Sequence, residues 1–163
     1  MGSLYQSRIK KFLTKKILLS RLEKRDCFMT MRCTITLFCS SLNEQSNLKV
    51  FLEKHKWADE IIILDSGSTD GSVDLCKKYG RKVFFQKLEG NYSRRSAFAV
   101  EHAETDWCFF SDPDEIFTDE LKNEIFDILE KGTECVAFEN RRVNFFMNKP
   151  LRHGGWSGNG LKM

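Results

Sequence analysis

"DEIIILDSGSTDGSVDLCKKYG", residues 59–80, changes character twice. An unbroken apolar run, Ile61 to Leu64, stops at the acid Asp65. Serine, glycine, threonine and aspartate follow, and a helical pattern then closes at Gly80. An apolar run without alternation is a strand covered on both faces, and the turn-rich stretch behind it feeds a helix. The same grammar repeats on either side. Upstream, "CTITLFCS" (33–40) is β-rich, and "NEQSNLKVFLEKHKWA" (43–58) is helical with Leu48, Phe51 and Leu52 on one face. Downstream, "KVFFQ" (82–86) reads as a third strand, "YSRRSAFAVEHAE" (92–104) as a helix and "DWCFF" (106–110) as a fourth strand. "TDELKNEIFDILEKG" (118–132) is a helix bounded by Thr118 and Gly132, and "CVAFENRRVNFFM" (135–147) supplies one or two further strands. Apolar strands alternating with helices imply an α/β fold: an open, mainly parallel sheet with helices on both faces.

A chain of 163 residues with 41% hydrophobic content and 14 Phe can build one domain with a core. Its six cysteines, at 27, 33, 39, 76, 108 and 135, form no CxxC pair and no zinc-spaced cluster. Free thiols in a reducing cytoplasm are the expectation. The net charge of +3 is uneven, because residues 1–30 carry eight basic and two acidic side chains and leave −3 for residues 31–163. The body therefore offers no basic surface for nucleic acid.

The basic part, residues 1–31, includes "SRIKKFLTKKILLSRLEKR", with Ile9, Phe12, Leu13 and Ile17 at helical spacing between lysines. That pattern predicts an amphipathic arm in peripheral contact with an anionic membrane. A solvated helix is the alternative, as is a start at Met29 or Met31, just before the first core strand. The longest apolar run in the arm, "ILL", is too short for a signal-peptide core or a membrane span.

In open parallel sheets ligands bind beyond the carboxyl ends of the strands. Three such ends are polar here: "SSLNEQ" (40–45), "DSGSTDGS" (65–72) and "SDPDE" (111–115). The second has a structural explanation: Asp65 and Ser66 can bond their own backbone, Gly67 permits a positive φ, and Asp70 can cap the next helix. It lacks the lysine of a phosphate-binding P-loop and the spacing of GxGxxG. The third is harder to explain structurally, since Asp112, Asp114 and Glu115 repel one another unless a cation neutralises them. Oxygen ligands on alternate residues suit Mg²⁺ or Mn²⁺, which keep waters and share their coordination with substrate phosphates.

In this order and register, "WADEI", "DSGSTDGS", "SDPDEIFTDEL" and "RHGGW" (152–156) resemble the family-2 glycosyltransferases of the GT-A fold. The likeness is strongest to bacterial members that add a hexose to the core of lipopolysaccharide or lipooligosaccharide. It implies a Rossmann-like nucleotide-sugar-binding domain over 32–150 and the start of an acceptor-side region over 151–163. It also implies an inverting, metal-dependent transfer of a hexose, glucose in the first place, from a UDP-sugar. By the same resemblance Ser40, Ser41 and Glu44 line the nucleoside pocket and Asp65 accepts a hydrogen bond from the base. Asp112 meets the ribose or the metal-bound phosphate, and Asp114 is the direct metal ligand. The family's Arg-Asn pair falls on Ser96 and Ala97 in an ungapped alignment. Arg95, or Arg94 in second place, takes the arginine's position after a one-residue slip, with a surface arginine as the alternative. His153 is a candidate contact to acceptor or diphosphate. The family's general base lies past "RHGGW", so it is expected beyond residue 163, and a shortened remnant that binds UDP and metal without turnover is the alternative. The cytoplasmic face of the inner membrane is the implied location.

The remaining candidates have simpler explanations. His55 and His102 fall near helix ends and read as solvated or capping. Trp57 is expected to pack the first helix on the second core strand, and Lys77, Lys78, Arg81 and Lys82 read as a solvated face.

Overall fold

The computed structural model describes residues 3–11, 32–87, 92–133, 137–147 and 149–151. In chain order the elements are β1 (Ser3–Lys11), β2 (Ile35–Ser41), α1 (Gln45–Lys54), β3 (Glu60–Asp65), α2 (Ser72–Lys78) and β4 (Lys82–Phe85). There follow α3 (Tyr92–His102), β5 (Trp107–Ser111), β6 (Glu115–Phe117), α4 (Asp119–Glu130), β7 (Phe138–Phe146) and β8 (Lys149–Pro150). The chain divides into two compact units, Thr34–Ile116 and Met1–Cys33 with Phe117–Met163.

The first unit is built on a four-stranded parallel sheet in the order β4-β3-β2-β5. Residues paired across parallel strands project to the same face, so the register sorts the core. Phe38 pairs with Ile62 and Phe110, and Leu64 with Phe84. Phe38, Ile62 and Leu64 pack with Ala99 and Phe98 of α3 on that face. Leu37, Cys39, Ile61 and Ile63 occupy the other face, where the thiols of Cys39 and of Cys76 in α2 lie within electrostatic reach. Leu48, Phe51 and Leu52 are the buried stripe of α1. Each such aliphatic or aromatic side chain contributes roughly 1.5–3 kcal/mol on burial, which is why four consecutive apolar residues hold β3 at the centre. Helices thus cover both faces, as the alternating pattern predicts.

A polar cluster closes the amino-terminal edge of the sheet. Glu60 accepts from Thr36 Oγ1 and from the Glu104 N–H, and pairs with Lys82 Nζ at 2.7 Å. Lys82 also reaches Glu104 at 2.8 Å, so it is a bridging residue and not part of a solvated run.

In the second unit β1 pairs antiparallel with β7, and β7 with β8. Here the sequence expectation is corrected: Ser3–Lys11 of the basic arm is a strand, not the start of an amphipathic helix. Pairing with a segment some 130 residues later in the chain overrides local helical spacing. The rest of the arm lies outside the described residues. Helix α4 buries Leu121, Ile125 and Leu129, and the Thr118 hydroxyl caps it by accepting from the Leu121 N–H at 3.3 Å. Arg32 places its guanidinium 4.6 Å from the Phe126 ring centre. No helix among the described residues is long and apolar enough to cross a membrane.

Candidate functional site

The loops after β2 and β3 are laced into one piece. The Asn43 N–H donates to Ser68 Oγ at 2.8 Å, and Asn43 Oδ1 accepts from the Thr69 N–H at 2.8 Å. The Glu44 N–H donates to Ser72 Oγ at 3.1 Å, and the Ser66 N–H to the Ser41 carbonyl at 2.9 Å. Asp70 serves both helix starts: Oδ1 accepts from the Ser72 N–H and Oδ2 from the Gln45 N–H, each at 3.0 Å. It therefore does more than cap α2, because it satisfies a first-turn donor of α1 in a different segment. Its carboxyl sits below the usual range, chiefly through the Ser72 hydroxyl and then the Gln45 N–H. Asn43, at φ 55°, was not singled out from the sequence. Its signal was an asparagine between a strand end and a helix start, where a short polar side chain tolerates the left-handed region.

Asp65 ends β3 and is 4% exposed. Its Oδ2 accepts from the N–H groups of Gly67 (2.8 Å) and Ser68 (2.9 Å), a turn that requires φ +106° at Gly67. The other oxygen, Oδ1, is buried with no hydrogen-bond partner, and so is the hydroxyl of Ser41, which pairs with Asp65 across the sheet. A buried acceptor without a donor costs about 1–3 kcal/mol, so a ligand N–H in this place would recover that loss.

The acidic loop after β5 separates into different roles. Glu115 is 2% exposed, and its Oε2 accepts from the Asp112 N–H at 2.8 Å and from Ser111 Oγ at 3.2 Å. It braces the turn, a role apart from the shared cation that the mutual repulsion of the three acids suggests. Asp112 is exposed and Asp114 half-buried. Burial first, then Glu115 and Glu44, push the Asp114 carboxyl above its ordinary value. The buried Cys39 thiol is raised well above its usual value by desolvation and then by neighbours that include Asp112, Glu115 and Asp114. These influences bring the loops after β2 and β5 together on one acidic rim.

Among the described residues no three His, Cys, Asp or Glu side chains form a ready-made metal cage. Two carboxylates on one turn, Asp112 exposed and Asp114 half-buried with Glu115 and Glu44 nearby, fit a cation that keeps waters and takes its remaining oxygens from a ligand. Ser40, Ser41, Glu44, Asp65, Asp112 and Asp114 all stand at the carboxyl ends of β2, β3 and β5 or just beyond them. Arg95 is half-buried on α3, and His153 lies outside the described residues. His55 is the C-cap of α1, its backbone N–H on the Phe51 carbonyl at 3.0 Å as the capping reading expects, and its ring is buried rather than solvated, with Nδ1 on the same carbonyl at 2.8 Å. His102 stacks on Phe98 at 3.8 Å between ring centres.

The lipopolysaccharide core biosynthesis glycosyltransferase LpsC of Rhizobium meliloti is 30% identical over 118 residues, 70% of this chain and 44% of that protein. The prophage-derived glycosyltransferase SunS of Bacillus subtilis is 32% identical over 99 residues, 59% of this chain and 22% of its own length. Among solved structures, the glucosyl-3-phosphoglycerate synthase of Mycobacterium tuberculosis matches with a TM-score of 0.42 and 22% identity, over 50% of this chain and 33% of that one. The chain spans less than half the length of these curated relatives. The profile of glycosyl transferase family 2 matches residues 36–160, from the first core strand through the laced loops and the acidic turn. On that match the chain belongs to glycosyl transferase family 2.

Proposed function

We propose that this chain supplies the donor site of an inverting, metal-dependent glycosyltransferase that moves a hexose, glucose in the first place, from a UDP-sugar to a lipopolysaccharide or lipooligosaccharide core acceptor. Family membership supports the class of reaction. Likeness to a protein named for lipopolysaccharide core biosynthesis supports the acceptor class. The observation that carries the donor assignment is Asp65: a carboxylate oxygen buried and unpartnered at the end of the central strand, beside the equally unpartnered Ser41 hydroxyl.

In this account Asp65 takes the base N–H, Ser40, Ser41 and Glu44 line the nucleoside pocket, and Arg95 faces the nucleotide. Asp112 and Asp114 would hold Mg²⁺ or Mn²⁺, whose charge offsets that developing on the departing diphosphate. Glu115 is engaged by the Asp112 N–H and Ser111, so it is not assigned as acceptor base. No base is assigned among the described residues, and His153 is the acceptor-side or diphosphate contact. The excess of lysine and arginine in residues 1–30 would draw the protein by charge to anionic lipid on the cytoplasmic face of the inner membrane.

The test is equilibrium binding of a sugar-nucleotide panel with Mn²⁺, followed by UDP release in the presence of a core oligosaccharide. Binding of UDP-glucose or UDP-galactose in preference to GDP-mannose and ADP-glucose is expected, with loss of that preference in Asp65→Asn. Equal binding of the whole panel would overturn the assignment, and so would no binding of any UDP-sugar.

A further inference from the structure

The last register positions of three neighbouring strands form a row. Ser41 of β2 pairs with Asp65 of β3, and Asp65 pairs with Phe85 of β4. Paired residues project to one face, so a hydroxyl, a carboxylate and an aromatic ring stand side by side at the edge where the loops leave the sheet. Phe38 and Phe51 are buried, at 2% and 0%, whereas Phe85 is 73% exposed. Its ring lies over the turn that carries the Asp65 carboxylate, since a side-chain carbon placed on Gly67 would stand 3.6 Å from Phe85 Cε2. Phe85 is therefore no part of the core.

We infer that Phe85 is a specificity-determining residue of the donor site, giving the nucleobase an apolar face to stack on while Asp65 and Ser41 read its edge. The inference rests on the UDP-sugar assignment made above. A nucleobase has two apolar faces and a polar rim, and a site that selects it needs a flat wall beside a polar reader. The row supplies both. Asp65 is 4% and Ser41 3% exposed, and each keeps a buried oxygen without a hydrogen-bond partner. Uracil answers both, with an N3–H for the carboxylate and a flanking carbonyl for the hydroxyl. Cytosine carries no hydrogen at N3, so that nitrogen would face the carboxylate as a second acceptor and only the neighbouring amino group could donate. Diphosphate and metal bind at the acidic turn after β5, so removal of the ring should touch only the part of affinity that comes from the base.

The experiment titrates wild type, Phe85→Ala and Phe85→Trp with UDP and with inorganic pyrophosphate, all with Mn²⁺. Phe85→Ala is expected to weaken UDP by about tenfold, the scale of one base–aromatic stack. Phe85→Trp should restore UDP binding, and pyrophosphate affinity should be equal in all three. Because the ring is largely in water, both variants should fold, which thermal melting checks. Undiminished UDP affinity in Phe85→Ala would overturn the role of the ring and leave the donor assignment standing. Equal weakening of UDP and pyrophosphate would overturn it too, since the ring would then be supporting the loops in general. If wild type failed to bind UDP at all, the donor assignment would fall and take this inference with it.

Discussion

Asn43 and Thr69 join the two loops that frame the rim: the Thr69 N–H donates to Asn43 Oδ1 at 2.8 Å while Asn43 holds a left-handed φ of 55°. Replacement by alanine removes the acceptor and leaves a left-handed backbone position to a residue that tolerates it less well than asparagine. Asn43→Ala should cost about 1–2 kcal/mol by chemical denaturation. It should also weaken UDP binding, because Asp65 sits at the base of the same laced loops. Unchanged stability would show that the lacing is incidental.

Glu115 and Asp114 are neighbours with opposite expected effects. Glu115→Ala removes the acceptor of the Asp112 N–H and the Ser111 hydroxyl, and should lower stability by about 1–3 kcal/mol. Asp114→Ala removes a half-buried acid already pushed towards its neutral form, so stability at neutral pH should hold or rise slightly. Thermal melts of both variants at pH 7 distinguish the brace from the proposed ligand, and a larger loss from Asp114→Ala would reverse the assignments.

Glu60 gives a pH signature at the opposite edge of the sheet. Burial is the largest single influence and pushes its carboxyl up, but the hydrogen bonds from Lys82, Thr36 and the Glu104 N–H, with the charge of Lys82, together outweigh it and leave the group below its usual value. An acid depressed in the folded state stabilises above its unfolded pKa of about 4.3, and that contribution is lost as pH falls through the folded value. Glu60→Gln should therefore cost about 1–3 kcal/mol at pH 7, with the gap to wild type closing below about pH 4. A gap that stayed constant down to pH 3 would mean that packing, not charge, accounts for the loss.

Much of the parallel sheet was legible because strands buried on both faces are largely apolar, as Ile61–Leu64 is throughout and Ile35–Cys39 is apart from Thr36, whose hydroxyl donates to Glu60. The helix ends were legible from Thr118, Gly80 and Gly132, residue types whose capping and left-handed preferences are local. What stayed hidden was settled by distant partners. Lysine-rich Ser3–Lys11 becomes a strand through pairing with β7, and Lys82 finds its acids only when β3 and β4 align. Glu115 could not be told from its neighbours in "SDPDE", since a brace and a ligand are the same residue type until the turn closes. At the rim, Asp65 was legible as the acid that ends an apolar strand, whereas Asn43 and Phe85 gained meaning only from loop lacing and strand register.

The most direct measurement is calorimetric titration of the 163-residue chain with UDP, with and without Mn²⁺, run beside Asp114→Ala. A donor site of the kind described predicts tight binding that depends on the metal in wild type, and loss of that dependence in a variant that still melts as wild type does. Equal UDP affinity with Mn²⁺ in wild type and Asp114→Ala would contradict the account, because the acidic turn would then have no part in holding the nucleotide.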